Sequence, residues 1–411
     1  MPPMVKIDLS WPPALSNVTL TVTCLGLLLG TLLFGLWPFW YLPANHAEIT
    51  ASAGAIRFQR NGDEAKLDAG GLAFTPRPLT FKNSQNSSDA SLTLEIAAKP
   101  SAQFKGGLGL LAALCDQDGT IKLLLAQWKT HLVIRTFFFP SKRGNYTEIG
   151  LKDVLVHGET SFITITSDAS KTVLYVNGKM NREVTGIRLV PESMDLTGYR
   201  LYFGNDLGLA HPWSGELFGF ALYDRALSAA EAAASFRKWS EDAHLPLTDA
   251  NQAVVRYLFD AAAPHEEGTT VRDAADGLNP LLLPAAMPFK KPLLDYSPLR
   301  SNGVMDITIN LLGFIPFGFF LGWWFKQVRK QTPFWSCAAA VLCGFAVSLF
   351  IEVCQAHMPT RASSLNDLLC NTLGTILGAM LFHYAIVQGR WLTNPALAAQ
   401  MAPARGPSKT S

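Results

Sequence analysis

Three polar pairs interrupt the long apolar runs in the last quarter of the chain. Asp306 and Asn310 stand four residues apart, Asp367 and Asn371 repeat that spacing, and Glu352 precedes Gln355 by three. On a helix each pair occupies one face. Arg300 and Arg361 lie just ahead of two of these pairs. Carboxylates and amides supply acceptors and donors for a polar ligand, and the planar fork of arginine suits phosphate or carboxylate. The same set admits acid–base chemistry, with Glu352 or Asp367 carrying the proton and Asn310 and Asn371 holding a substrate. A plainer reading is structural: Asp367 completes a capping box with Ser364, and Arg361 pairs with Glu352 across a hairpin. Capping leaves Asp306, Asn310 and Asn371 without a reason, and ionisable groups at membrane depth are costly unless they face protein or a wet cavity. The expectation is therefore a ligand-binding cluster of Arg300, Asp306, Asn310, Glu352, Gln355, Arg361, Asp367 and Asn371. No catalytic residue, cofactor or metal is assigned, and His357 reads as a surface histidine.

The elements that must position these residues are membrane spans. Residues 18–42, 304–325, 334–351 and 365–386 are apolar stretches of a length that crosses a hydrocarbon core about 30 Å thick. The first exceeds the apolar region of a signal peptide, about 7–15 residues, and reads as a retained anchor. Its Gly26 and Gly30 form a GxxxG, which permits close helix packing. The short loop after the second span carries Lys326, Arg329 and Lys330 without an acid, and the tail adds Arg390, Arg405 and Lys409. By the positive-inside rule residues 1–17 and 388–411 are cytoplasmic, and residues 44–300 and the polar cluster face outward. A formal net charge of +2, with 16% charged and 49% hydrophobic residues, argues against nucleic acid as a partner and for the lipid bilayer. Of the cysteines, Cys24, Cys337, Cys343, Cys354 and Cys370 lie in or beside the spans. The central region holds Cys115 alone and cannot close a disulfide of its own.

The segment from Pro359 aligns without gaps on the one from Pro298. Pro298, Arg300, Asp306, Asn310, Leu312 and Gly313 match Pro359, Arg361, Asp367, Asn371, Leu373 and Gly374. Spans one and two would then form one hairpin and spans three and four a second, a parallel repeat with its polar residues meeting at the interface.

Residues 44–250 alternate in short runs broken by turn signals, with Asn177-Gly178 as a hairpin cue. This is the pattern of an antiparallel sandwich. Ser228 and Glu231 mark a helix start. Residues 251–300 are either a late strand or a spacer. The fold class is thus a four-helix transmembrane bundle plus an all-β sandwich.

The runs LTLEIAAKPS (92–101), LYVNGK (174–179), YFGND (202–206) and GELFGFALYDRALSAAE (215–231) resemble the strands of a LamG-like, concanavalin A-type jelly roll. That resemblance implies two packed sheets whose concave face often meets carbohydrate. Relatives that hydrolyse glycans carry paired acids on one strand, whereas Glu95 is followed by Ile96, Ala97 and Ala98. A binding or spacer module is expected. Pro38-Phe39, the run Asp306 to Gly318, Glu352 with Gln355, Arg361, and Asp367 to Gly374 resemble the VanZ family of small membrane proteins. This resemblance implies a bacterial inner-membrane location and a link to resistance against the glycopeptide teicoplanin. The whole reads as an envelope protein holding a glycan, a lipid-linked glycan or an amphiphile's head. The alternatives are a membrane-embedded enzyme and a purely structural anchor.

Overall fold

The computed structural model describes residues 15–50, 53–59, 70–80, 91–102, 104, 107–141, 144–192, 196–241, 253–259, 263–265, 268–296 and 303–393. Two compact units emerge, one of residues 41–290 and one of residues 1–40 with 291–411.

The first helix of the second unit, α1, spans Asn17–Leu36 and starts where the Ser16 side chain accepts from the Thr19 N–H at 3.0 Å. It ends at Leu36, short of the expected 42, because Trp37 is extended ahead of Pro38. Helices α3 (Gly303–Gln327), α4 (Pro333–Ala356) and α5 (Leu365–Thr393) complete this unit, α2 (Ala229–Glu241) belonging to the other; Pro333 opens α4 at its first turn. These four helices are long and apolar enough to cross a membrane, so the chain has a multi-pass membrane unit.

Glycines decide how close the helices come. A Cβ on Gly318 would collide with the Thr375 carbonyl, on Gly374 with that of Leu311, and on Gly378 with that of Ile315. α3 and α5 therefore touch backbone to backbone, as small residues allow in membranes. Phe314, Phe317, Ile351 and Met358 pack at one end, and Leu20, Trp323 and Phe382 at the other. Gly26 and Gly30 do not join this packing: a Cβ there meets nothing within 4 Å. The close contact that a GxxxG permits is made instead at Gly374 and Gly378 of α5.

The other unit is a sandwich of two antiparallel sheets. In chain order its strands are β1 (Ala47–Thr50), β2 (Ala55–Phe58), β3 (Ala73–Phe74), β4 (Leu92–Pro100), β5 (Leu108–Cys115), β6 (Ile121–Trp128), β7 (His131–Thr136), β8 (Thr147–Leu151), β9 (Ser161–Ser167) and β10 (Lys171–Val176). They continue as β11 (Lys179–Thr185), β12 (Arg200–Phe203), β13 (Gly215–Tyr223), β14 (Val255–Leu258), β15 (Ala263–His265), β16 (Gly268–Val271) and β17 (Leu281–Pro284). One sheet runs β1-β2-β13-β4-β9-β10-β11, the other β15-β16-β17-β3-β12-β5-β6-β7-β8. This is a concanavalin-type jelly roll. Asn177 and Gly178 turn β10 into β11 with φ of 49° and 72°, the primed turn that a tight hairpin prefers.

The core lies between the sheets, where Ile56, Phe58, Leu94, Ile96, Leu123, Leu125, Phe203, Trp213 and Phe220 interdigitate. The buried Trp213 indole donates to Gln127 Oε1 at 2.7 Å. Residues 251–300 contribute to both sheets. Val255–Leu258 adds to β13 beyond the point where β2 stops, and Leu281–Pro284 pairs with β3.

Both outer faces are partly covered. Helix α2 (Ala229–Glu241) lies over the first sheet, its start closed by a reciprocal Ser228–Glu231 capping box at 2.7 and 3.3 Å. Under it Glu95 is fully buried, accepting from the Tyr223 hydroxyl at 3.1 Å and from Thr164 at 3.4 Å. Burial pushes its carboxyl up to about 7, against the pull of hydrogen bonds from Ser235, Tyr223 and Thr164. On the second sheet Leu207, Leu209 and Met287 cover Leu110, Ala113, Leu124, Ala126 and Tyr202, and burial likewise pushes the Cys115 thiol up.

Candidate functional site

A cavity of about 710 Å³ opens in the helical unit, at the end opposite the basic α3–α4 loop. Its walls bring together Asp306, Asn310, Glu352, Gln355, Arg361, Asp367 and Asn371. Arg300, the eighth residue of the expected cluster, lies outside the described residues. Helix phasing explains the convergence. Asp306 and Asn310 project from the first turns of α3, Asp367 and Asn371 from the first turns of α5, and Glu352 and Gln355 from the last turn of α4. These three helix ends share one level of the bundle.

The interactions divide into structural and unfilled. Glu352 is buried, and its Oε2 accepts from the Ser364 N–H at 2.7 Å, just before α5 begins. Ser364 Oγ in turn accepts from the Asp367 N–H at 3.3 Å. The capping box of the structural alternative is thus split: Glu352 of α4 supplies the carboxylate, and Asp367 turns to α3, where it lies beside Asp306 and accepts a hydrogen bond from Asn310. Arg361 does not make the salt bridge with Glu352 that the structural alternative offered. It donates to the carbonyls of Phe34 and Gly35 at 3.2 and 3.4 Å, in the last turn of α1. Those carbonyls have no partner within the helix, and a cation suits that end of its dipole. Gln355 Nε2 donates to the same Gly35 carbonyl at 2.8 Å.

Asn371 is 4% exposed; its amide donates to Ser348 Oγ at 3.0 Å, while its Oδ1 has no hydrogen-bond partner among the described residues. Thr360 Oγ1 and Arg361 Nε are buried and unpaired in the same sense, and all three residues line the cavity. A buried acceptor without a donor costs about 1–3 kcal/mol. His357 stays outside this set, bonded to the Val353 carbonyl of its own helix at 2.9 Å.

Sequence reasoning did not single out Ser348, Thr360 or Lys291. Ser348 precedes Glu352 by four residues, a helical spacing that would have placed it on the same face. Lys291 carries no such signal. Its ammonium donates to the carbonyls of Met358 at 3.3 Å, of Arg361 at 2.9 Å and of Pro359, and burial holds it below the ordinary lysine range. Asp295 adds backbone bonds to Ser363 and Leu365 at 3.0 and 3.2 Å. Together they pin the α4–α5 loop that carries Arg361.

The matched segments meet as a repeat requires, α3 against α5, with Asp367 beside Asp306. The two halves are not equivalent. Gly374 is wedged against Leu311, whereas its counterpart Gly313 faces the cavity with nothing within 4 Å of a Cβ.

In the sandwich a pocket of about 400 Å³ is lined by Arg57, Lys99, Ser101, Ser214 and Glu216 among others. Arg57 and Lys99 both approach Glu216, at 2.9 and 3.8 Å.

No curated protein matches the chain. Among solved structures, a Bacteroides ovatus protein described as a candidate carbohydrate-binding protein aligns at 14% identity with a TM-score of 0.38, covering 58% of this chain and 60% of that one. The chain therefore spans less than two thirds of that protein's length. A heptameric SAP-like pentraxin from Limulus polyphemus aligns at 13% identity and a TM-score of 0.28, covering 39% of this chain and 80% of its own. The family matches are separate and complementary. Residues 77–233 match the concanavalin A-like lectin/glucanases superfamily, and residues 265–388 match VanZ/LLP1, so this chain joins a VanZ-like membrane module to a concanavalin A-like domain.

Proposed function

We propose that the cavity receives the polar head of a membrane amphiphile and that the sandwich engages glycan. A lipid-linked glycan of the cell envelope combines both chemistries. The observation that carries this reading is the unpaired Asn371 Oδ1 in a cavity that also holds Asp306, Glu352 and Asp367. Asp306, Glu352, Asp367 and the Asn371 Oδ1 supply acceptors there, while Arg361 and Gln355 already spend donors on α1 carbonyls and Arg361 Nε and Thr360 Oγ1 stay unpaired. A head rich in hydroxyl or amine donors, such as an aminosugar, answers that balance better than a bare phosphate. In the sandwich, the charged pocket at Arg57, Lys99 and Glu216 is the proposed glycan contact, because the middle of the second sheet's outer face is covered.

The basic α3–α4 loop supports an orientation with that loop in the cytoplasm of a bacterial inner membrane and the cavity outward. On this reading residues 44–300 are extracytoplasmic, and teicoplanin-type glycopeptide sensitivity is the phenotype to examine.

The test is binding of methyl glucosaminide to the full chain in lipid nanodiscs. Asn371→Leu and Asp367→Asn are expected to weaken it about tenfold, the loss of one buried hydrogen bond, with the melting temperature as a folding control. Unchanged affinity in both folded variants would exclude the cavity as the head-group site.

A further inference from the structure

The polar cluster occupies only one end of the cavity. The rest of the wall includes Gly26, Leu27, Gly30 and Phe34 of α1 and Ile309 and Gly313 of α3. Gly26 lies nine residues from Gly35, about 13 Å along the helix axis. The lining therefore runs from the hydrogen-bonded end of α1 along its apolar, exposed face toward the middle of the helix.

Three glycines along this wall differ from the others in the bundle whose surroundings are described. Gly35, Gly318, Gly322, Gly344, Gly374 and Gly378 each sit against a neighbouring helix, where a Cβ would touch or collide. Gly26, Gly30 and Gly313 are exposed, and a Cβ there meets nothing within 4 Å. Small residues in membrane helices ordinarily serve helix contact; these three leave a slot instead. The slot joins the polar end, where the Asn371 Oδ1 is without a donor and the side chain is 4% exposed. An acceptor that needs a donor at one end and a glycine-lined apolar channel at the other match the two ends of a single amphiphile.

We infer that the slot between α1 and α3 at Gly26, Gly30 and Gly313 holds the first part of an alkyl chain, so that the ligand is a lipid entering sideways from the bilayer rather than a solute entering from water. This rests on the head-group reading above. A tail already dissolved in lipid gains little from new apolar contacts, because the acyl phase is as apolar as a leucine surface. The slot's role is passage: it lets the head reach Asn371 while the tail stays in hydrocarbon. Filling it will exclude tailed ligands selectively.

The experiment compares octyl glucosaminide with methyl glucosaminide on the full chain in nanodiscs, with empty nanodiscs correcting for partition. Gly30→Leu and Gly26→Leu are the variants, because an added side chain at either position starts in open space and leaves packing intact; melting temperature confirms this. The expected result is loss of octyl glucosaminide binding by about tenfold or more in each variant, with methyl glucosaminide affinity within about twofold of the unaltered protein. Octyl binding that survives Gly30→Leu and Gly26→Leu, while the methyl form still binds, overturns the slot and leaves the head-group reading standing. Failure of the methyl form to bind the unaltered protein overturns both.

Discussion

The Glu352 carboxylate accepts from the Ser364 backbone N–H at 2.7 Å, so the last turn of α4 holds the start of α5. Glu352→Ala removes the acceptor and strands a backbone donor, which is expected to cost about 1–3 kcal/mol. Glu352→Gln keeps an acceptor oxygen and costs less. Thermal unfolding in detergent measures the difference, and equal losses for both would contradict the hydrogen-bond account.

Glycine substitutions at two places in the bundle are expected to part company. Gly378→Ala forces a methyl group into the Ile315 carbonyl and costs about 1–3 kcal/mol through overpacking. Gly26→Ala enters open space and is neutral or gains up to about 1 kcal/mol of helix propensity. Folded yield and melting temperature of the two variants, side by side, check the contrast.

Glu95 makes the sandwich sensitive to pH. Its carboxyl is raised in the folded state to about 7 from an ordinary value of 4.5, so the folded protein binds the proton more tightly than the unfolded one. Its contribution to stability is complete below about pH 4.5 and is lost as pH rises through about 7, on the order of 3 kcal/mol in all. Glu95→Gln, a permanently uncharged isostere, flattens this part of the profile. Denaturant unfolding of both proteins between these pH values tests it; a parallel pH dependence would count against the assignment.

Arg361→Ala leaves the Phe34 and Gly35 carbonyls without their cation, with an expected loss of about 1–2 kcal/mol. Arg361→Lys restores the charge without the fork and recovers only part. Proteolysis near the end of α1, together with thermal unfolding, reads both effects.

Much of this molecule was legible because it follows from periodicity. Spans of apolar residues, the alternation from Leu92 to Pro100, the Asn177-Gly178 turn and the Ser228–Glu231 cap are local signals, and each carries its own physical cause. The polar cluster was legible for a related reason: Asp306 with Asn310, Asp367 with Asn371 and Glu352 with Gln355 each share a helix face, and isolated polar groups in apolar spans must turn toward protein. Gly26 and Gly30 left the packing open, because a glycine spacing says that a close approach is allowed, not that one occurs.

By itself the sequence determined the membrane unit, the sandwich and the faces on which the acids and amides lie, since these depend on neighbours within a few residues. Only the tertiary structure decided who meets whom. It gave Arg361 to the end of α1, split the α5 cap between Glu352 and Ser364, put Asp367 against Asn310, and set Gly374 and Gly378 in the contact while Gly26 and Gly30 line the cavity. The physical reason is that hydrogen bonds and steric exclusion between helices are settled by distances across the bundle, which no local spacing encodes.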